Sequence, residues 1–260
     1  MTSPSDPSTP RASQPVPPVP RPSHPLRGAP PSVASAVSVA RMQQIDAEAI
    51  GTIGIPRLLL MEHAGVAIAR AVQGLLPTSA ASVVVCAGTG FNGGDGLAAA
   101  RHLHEQGSAV HVLLAGSVDR LQEEPAVYAA ILQRLRVAIW ECGRPEWPST
   151  GVPDAAERLM TQCDVIVDAL LGIGAHGPVR EPIRSLIACM NRSTKPIVSA
   201  DVPSGLDADT GQVQGLAVQA AVTVTFGLPK RGCYLAEGPS HVGSLIVDSL
   251  SIPRQLLRVS

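Results

Sequence analysis

The sequence predicts an α/β protein in which helices cover both faces of a mostly parallel central sheet. Two observations support this fold class. Short apolar runs rich in β-branched residues alternate with longer segments of helical composition, as parallel βαβ units require. The first run, Ser82–Cys86, is followed by five glycines within nine residues and then by the Ala- and Leu-rich segment Leu97–His104. A strand, a glycine-rich turn and a helix in this order are typical of doubly wound nucleotide-binding folds.

Two helices are predicted before this unit. In the segment Val39–Ile50, apolar residues recur on one side of a helix and charged residues on the other. Pro56 suits the first turn of a second helix, which keeps a helical apolar period as far as Leu75. Glu62 and His63 lie inside this helix, and such a pair is more often a surface or packing pair than a site.

Strands and helices continue to alternate after the glycine-rich turn. The predicted strands are Ala109–Leu114, Val137–Trp140, Val165–Val167, Pro196–Ala200, Ala220–Phe226 and Leu245–Val247. The predicted helices are Glu124–Leu135, Asp154–Gln162 and Arg180–Asn191. This alternation indicates a single domain that spans residues 39–260.

The first 38 residues have a different composition. They hold eleven of the 24 prolines and a single acidic residue, Asp6, and they show no apolar periodicity. Such a segment cannot bury enough surface to offset the entropy of ordering it, so we expect residues 1–38 to form a disordered tail. Organelle transit peptides are also poor in acids, but these prolines would break the amphipathic helix that such peptides form.

Composition excludes several classes of partner. The formal net charge of −1 provides no field that would attract nucleic acid or an acidic membrane, and aromatic residues make up only 2% of the chain. No apolar run is long enough to span a bilayer. The five cysteines are scattered, with no C-x-x-C pair, which favours a reduced, cytoplasmic setting.

The glycine-rich turn favours a nucleotide ligand. Gly88–Gly93 fits the dinucleotide-binding pattern G-x-G-x-x-G between a strand and a helix, where backbone N–H groups can face a phosphate. The next strand, Ala109–Leu114, ends in Ala115–Ser117 with no acidic residue to hold a ribose, so an ordinary NAD dehydrogenase is a poor fit. The alternative is a glycine turn that only closes a βα unit.

Polar side chains follow three of the predicted strands. Asn92 and Asp95 come after the first, Asp168 closes another, and Asp201 closes a third, three residues before Ser204. Because ligands of open α/β sheets bind beyond the carboxyl ends of the strands, we expect these groups to face one site. An oxygen-only set of carboxylate, amide and hydroxyl groups suits a hard cation. The alternative for each acid alone is a helix N-cap.

Five longer motifs carry a specific resemblance. They are Leu58–Gly65, Phe91–Leu97, Asp168–Gly174, Asp201–Gly211 and Thr223–Lys230. In this order they resemble the signature motifs of the NAD(P)H-hydrate epimerases, also called the YjeF N-terminal domain family, and the likeness extends from about Met42 to Pro253. It implies a Rossmann-like, three-layer α/β/α fold. It also implies an isomerase that interconverts the R and S epimers of hydrated NADH and NADPH in metabolite repair.

The resemblance further implies a set of ligands and partners. These are one potassium ion per subunit, a homodimeric assembly and a separate ADP- or ATP-dependent dehydratase that acts downstream. The implied potassium ligands are Asn92, Asp168 and Ser204. The implied substrate contacts are Phe91, Asn92, Gly93, Gly94, Asp95, Gly172, Ile173, Gly174, Ala175, His176, Gly177, Pro178 and Asp201. The chain departs from the family at Phe91 and His63, where the family usually has Asn, and Phe91 keeps only its backbone N–H as a polar contact.

The implied reaction inverts a carbon that bears a hydroxyl beside the ring nitrogen. The nitrogen lone pair can assist either loss of water or ring opening, and both routes need a proton donor and a proton acceptor near that oxygen. Asp201 is the first candidate for this role and Asp95 the second, while Lys230 is expected to orient a phosphate or to pair with a carboxylate. The competing hypothesis is a non-catalytic nucleotide-binding or assembly module of the same fold, which would not need these acids.

Overall fold

The computed structural model describes residues 33–76, 78, 81–142, 147–148 and 151–258. The strands within these residues are β1 (Ser82–Ala87), β2 (Ala109–Leu114), β3 (Ala138–Glu141), β4 (Val165–Ala169), β5 (Ile197–Ala200), β6 (Val222–Phe226) and β7 (Ser244–Asp248). They form one seven-stranded sheet in the order β3-β2-β1-β4-β5-β6-β7, and every neighbouring pair is parallel. The predicted α/β fold class is therefore confirmed.

Two helices precede β1, and helices occupy the connections between the strands except that from β5 to β6. They are α1 (Val39–Ala47), α2 (Arg57–Gln73), α3 (Phe91–Glu105), α4 (Glu123–Arg134), α5 (Asp154–Gln162), α6 (Ile183–Arg192) and α7 (Gly238–His241). A five-residue π-helix, Glu48–Thr52, directly follows α1. Among the described residues, no helix combines the length and the apolar character that crossing a bilayer requires.

The sheet separates two hydrophobic clusters. On β1, Val83 and Val85 pack in the cluster that also contains residues of α1 to α4. The intervening Val84 and Cys86 pack in the cluster that contains residues of α5 and α6. Because successive side chains of a strand point to opposite faces, a central strand covered on both sides is apolar throughout. The β-branched runs of the sequence have this origin.

Three helix boundaries differ from the predictions. The helix predicted from Leu97 begins at Phe91, so three of the glycines in the predicted turn are helical. The helix predicted from Arg180 begins at Ile183, and Pro182 occupies its N-cap position. The helix predicted as Val39–Ile50 is α-helical only to Ala47, where the π-helix takes over. Proline fits the start of a helix because it cannot donate an intrahelical hydrogen bond.

The domain begins a few residues before the predicted boundary at residue 39. The predicted tail lies outside the described residues as far as residue 32, but residues 33–38 are placed. The backbone of Val37 pairs with that of Lys230, and Val37 is buried. The Ser38 hydroxyl accepts a hydrogen bond from the Arg41 N–H as the N-cap of α1. An apolar side chain and a helix cap explain why this end of the proline-rich segment is ordered.

Candidate active site

A cleft of about 810 Å³ opens at the carboxyl ends of β1, β4, β5 and β6. The chain winds in opposite directions from β1 and β4, and ligands of open α/β sheets bind at such a switch point. Helix α1 and the π-helix form one wall of the cleft, and the loop after β4 forms another. The polar and charged side chains among the lining residues are Gln43, Asp46, Arg57, Thr89, Asn92, Asp95, Asp201 and Lys230. The volume suits a small molecule of the size of a drug or cofactor.

Asp201 and Lys230 form a buried ion pair at the base of the cleft. Lys230 is only 1% exposed, and its ammonium group contacts the Asp201 Oδ1 atom directly. The same ammonium donates to the Phe226 carbonyl at 2.8 Å and to the Thr225 hydroxyl at 3.2 Å. Three oxygens therefore satisfy the three donors of the ammonium group. Lys230 pairs with a carboxylate, which is one of the two roles expected for it.

The backbone holds Asp201 in an unusual conformation. Asp201 follows β5 with a φ of 65°, in the left-handed region that aspartate and asparagine occupy more readily than other side chains. Its Oδ1 also accepts hydrogen bonds from the Phe226 N–H and the Thr225 hydroxyl, each at 3.3 Å. No hydrogen bond from the described residues reaches Oδ2. One carboxylate oxygen is thus fixed by the protein, and the other is available to a ligand.

Two further acids share the cleft with Asp201. Burial, together with the negative charges of Asp201 and Asp46, raises the pKa of Asp95 well above its ordinary value, and Lys230 only partly opposes this. Burial also raises the pKa of Asp46 to about 6, against the positive charges of Lys230 and Arg57. A carboxyl group that binds a proton near neutral pH can act as an acid or as a base.

Asp168 lies below the cleft floor in a buried hydrogen-bond cluster. Its carboxylate accepts from the Ser204 hydroxyl at 2.5 Å, the Ser204 N–H at 2.9 Å and the Ser199 hydroxyl at 2.8 Å. A weaker hydrogen bond of 3.3 Å comes from the Leu170 N–H. Burial raises the pKa of Asp168, while the hydrogen bonds from Ser204, Ser199 and Leu170 favour the ionised form. The structure thus brings two of the three predicted cation ligands, Asp168 and Ser204, into direct contact.

Asn92, the third predicted ligand, has a buried side chain without a partner. Neither amide atom of Asn92 makes a hydrogen bond with the described residues, although both are inaccessible to solvent. The side chain lies against Gly172, where an added Cβ would be 3.3 Å from the Asn92 Cγ. Leaving a buried polar group unpaired costs about 1–3 kcal/mol, so such an amide indicates a missing ligand or water. An amide oxygen together with a carboxylate and a hydroxyl would suit a hard cation.

Phe91 lies at the mouth of the cleft. Its side chain is 47% exposed, and the Arg57 guanidinium stacks 4.3 Å from the ring centroid. Arg57 also donates to a carboxylate oxygen of Glu123 at 3.0 Å. The aromatic side chain thus replaces a polar contact with a platform that holds a cation beside the cleft entrance.

The predicted substrate contacts of the β4–α6 loop divide into two groups. Gly172, Ile173, Gly174 and Ala175 line the cleft. His176, Gly177 and Pro178 do not line it, and they are exposed farther along the loop. The motif predicted contacts along its whole length, but the loop turns away from the cleft after Ala175. A sequence motif shows which residues follow one another along the chain. It does not show at which residue a loop turns away from the cleft.

Three glycines of the glycine-rich stretch serve the packing of α3. A Cβ at Gly96 would lie 2.5 Å from the Ala169 Cβ on β4, and one at Gly94 would lie 2.5 Å from the Met61 Cε on α2. A Cβ at Gly93 would overlap the Gly88 carbonyl oxygen. Gly93 and Gly94 are absent from the cleft lining, and the Gly94 N–H donates to the Gly90 carbonyl at 3.1 Å, so their substrate contacts stay predictions.

Two charged cleft residues were not predicted from the sequence. Asp46 looks like an ordinary solvent-facing residue of an amphipathic helix, and Arg57 like a surface cation. Only the packing of α1 over the sheet edge brings Asp46 into the cleft with Asp95 and Asp201. Its place one helical turn after the buried Met42, which also lines the cleft, is the signal that could have found it.

The chain is similar to known proteins of one family. The family described as YjeF-related protein N-terminus matches residues 57–232. The chain is 44% identical over 203 residues to the bifunctional NAD(P)H-hydrate repair enzyme of Pyrobaculum aerophilum, covering 77% of this chain and 39% of that protein. It is 38% identical over 212 residues to the NAD(P)H-hydrate epimerase of Limosilactobacillus fermentum, covering 82% of this chain and 95% of that protein.

A solved structure shows the same fold. The crystal structure of a yeast protein superimposes with a TM-score of 0.72 at 30% sequence identity, covering 85% of this chain and 91% of that chain. The chain spans about two fifths of the length of the bifunctional relatives, of which it covers 37% to 42%.

Proposed function

Because the chain belongs to the YjeF N-terminal family, we propose that it is an NAD(P)H-hydrate epimerase, which interconverts the R and S epimers of hydrated NADH and NADPH. The observation that supports this most directly is Asp201, whose Oδ1 is fixed by Lys230 while its Oδ2 is available in the cleft. A non-catalytic module would gain nothing from three acids in one cleft, and two of them have a pKa raised by burial.

The cleft provides the groups that this chemistry requires. The reacting carbon bears a hydroxyl beside the ring nitrogen, so inversion needs a proton donor for the departing oxygen and an acceptor for the arriving one. Asp201 lies in the cleft with its Oδ1 held by Lys230 and its Oδ2 free, which suits the acceptor. Asp95, whose pKa burial raises, is the second candidate for the role given to Asp201.

The glycine-rich strand end supplies the binding groups for the nucleotide. Gly90 is the N-cap of α3, so the N–H groups of the first turn, at Phe91, Asn92 and Gly93, have no intrahelical partner. These groups and the positive end of the helix dipole favour a phosphate near the mouth of the cleft. The Arg57 guanidinium on the Phe91 ring adds a positive charge on the same side.

A potassium ion is proposed as the resident cation, one per subunit. Asn92, Asp168 and Ser204 would hold it, which would give the unpaired Asn92 amide oxygen a partner. When bound, the ion would add a fixed positive charge beside the substrate's phosphates. The protein itself supplies the neighbouring Asp168 charge and the hydrogen bonds that orient it.

The epimer made here is proposed to pass to a separate ADP- or ATP-dependent dehydratase. The relatives named bifunctional repair enzymes support this, since their name indicates two activities in one chain. We place the protein in the cytoplasm because its five cysteines are all free and buried. The homodimer stays a prediction.

The test is an NMR time course with purified protein and R-NADHX. We expect the signals of the S epimer to appear until both epimers reach equilibrium, faster than in a protein-free sample. The same experiment with R-NADPHX measures the preference between the two substrates. A rate equal to that of the protein-free sample with both substrates would contradict the proposed function.

A further inference from the structure

Inversion of the carbon by loss and return of water uses both faces of the substrate ring. The hydroxyl leaves from one face, and water returns to the other face. Each face then needs its own proton-transferring group, since one carboxyl group cannot reach both sides of the ring. Asp201 provides such a group at the end of β5, on the floor of the cleft.

We propose that Asp46 is a second catalytic acid–base group, which serves the ring face opposite to Asp201; this inference rests on the proposed function. Nothing in the motifs pointed to Asp46. The inference depends on its place in the α1 wall of the cleft, on a different element from Asp201.

The surroundings of Asp46 suit a reacting group. The side chain is partly buried and lines the cleft, yet it accepts no hydrogen bond from the described residues. By contrast, Asp168 and Asp201 are each held by several donors. A carboxyl group without a structural partner contributes nothing to the fold that would explain its burial. Such a group is better explained by what it does to a ligand.

The proton balance of the reaction follows from these two positions. Protonated Asp46 gives its proton to the departing hydroxyl, the C–O bond breaks, and the lone pair of the ring nitrogen forms a C=N⁺ bond. Water then adds to the same carbon from the opposite face and gives a proton to Asp201. One proton has moved from Asp46 to Asp201, and exchange with solvent restores both groups. In the reverse direction the two aspartates exchange roles.

The charges around Asp46 place its titration near neutral pH. The nearby positive charges are Lys230 and Arg57, and the nearby negative charges are Asp201 and Asp95. On its own segment, Arg41 and Glu48 pair with each other at 3.8 Å. Burial outweighs the cations and raises the pKa of Asp46 to about 6. The group can therefore hold or release a proton at the pH of the cell, as an acid that becomes a base in the reverse direction must.

The test compares Asp46→Asn with Glu48→Gln, which changes an exposed acid next to the same helix. We expect Asp46→Asn to lower kcat by about 10²–10⁴-fold with little change in KM, and to lose the pH limb near 6. Glu48→Gln should match the wild type. Asp46→Glu, which keeps the carboxyl group, should recover part of the rate.

Stability distinguishes catalysis from folding. The folded state holds the proton on Asp46 more tightly than the unfolded chain does, so ionisation of Asp46 destabilises the fold as pH rises from about 4 to about 6 and above. Asp46→Asn should therefore raise Tm at pH 8, and raise it less at pH 5. A variant that loses activity together with a lower Tm at pH 8 would overturn the proposal, because Asp46 would then be a structural residue.

The other outcomes distinguish failure of the proposed epimerase function from failure of the role of Asp46 alone. Wild-type protein inactive on both hydrates refutes the epimerase. Active wild type with an equally active Asp46→Asn variant and an unchanged pH profile refutes only the role of Asp46. In oxygen-18 water, each inversion should introduce one solvent oxygen into the product, after subtraction of the protein-free exchange. Retention of the original oxygen would indicate ring opening and overturn the use of two faces.

Discussion

At the scale of single residues, Asp201 combines backbone strain with a buried counter-charge. Its left-handed φ of 65° costs free energy, and the ion pair with Lys230 helps to offset that cost. Replacing either partner of a buried pair is costly because the other charge stays buried without compensation. A neutral asparagine side chain in place of Asp201 would be easy to bury by itself, and the sequence alone therefore suggests a mild change. Because the buried ammonium group of Lys230 would lose its counter-charge, we expect a large loss of stability and not a mild one.

We expect Asp201→Asn to lower the epimerisation rate by about 10²–10⁴-fold, since the amide cannot accept the proton. The same substitution should cost about 3–5 kcal/mol of unfolding free energy, because Lys230 loses its counter-charge. Turnover is measured by the NMR time course, and stability by urea unfolding.

The double variant Asp201→Asn, Lys230→Met separates the two effects. It removes both charges and should recover most of the unfolding free energy while the rate stays low. Recovery of the rate together with the stability would show that Asp201 only maintains the fold.

At the scale of elements, the start of α3 is where local propensity and tertiary packing disagree. Glycine in a helix costs about 1 kcal/mol relative to alanine, so a glycine-rich stretch predicts a loop. In the structure, Gly93, Gly94 and Gly96 lie inside α3, because that helix approaches β1, β4 and α2 too closely for a Cβ atom. Propensity therefore located Leu97–His104 correctly and missed the first turns of the helix.

The difference between helix propensity and the packing of α3 leads to a prediction for Gly96→Ala. In an open helix this change adds stability, but here the new Cβ would lie 2.5 Å from the Ala169 Cβ. We expect a loss of about 1–3 kcal/mol from this overpacking, measured by urea unfolding. Gly51→Ala is the matched control, since a Cβ at Gly51 meets nothing within 4 Å in its π-helix. A gain in stability from Gly96→Ala would contradict the packing role.

Strands were predictable from the sequence where burial alone decides their composition. The runs at β1, β4 and β5 are apolar because both faces of the central sheet are covered. The site was predictable as far as it lies in the motifs, which placed Asp168 beside Ser204 and Asp201 in the cleft. The pairing of Asp201 with Lys230 joins residues 29 apart in sequence, and periodicity carries no information on contacts at that separation.

At the scale of the whole molecule, the proposed cation site connects three parts of the sheet edge. Asn92 lies in the first turn of α3 after β1, Asp168 belongs to β4, and Ser204 follows β5. These strands are neighbours in the order β1-β4-β5, at the centre of the sheet. An ion held between them would bind the folded chain and not the unfolded one, because the three ligands converge only when the strands pair.

Potassium should therefore raise Tm through mass action. Above the dissociation constant, each tenfold rise in potassium concentration adds about 1.4 kcal/mol to the unfolding free energy. In a domain of this size, each kcal/mol of added unfolding free energy raises Tm by about 2–4 °C. The measurement is thermal unfolding in KCl against choline chloride at equal ionic strength.

Asn92→Ala removes the unpaired amide and should abolish the difference between the two salts. The exposed His176→Ala variant should keep that difference, since His176 does not line the cleft. Equal Tm values for the wild type in the two salts at all concentrations would rule out a stabilising potassium site.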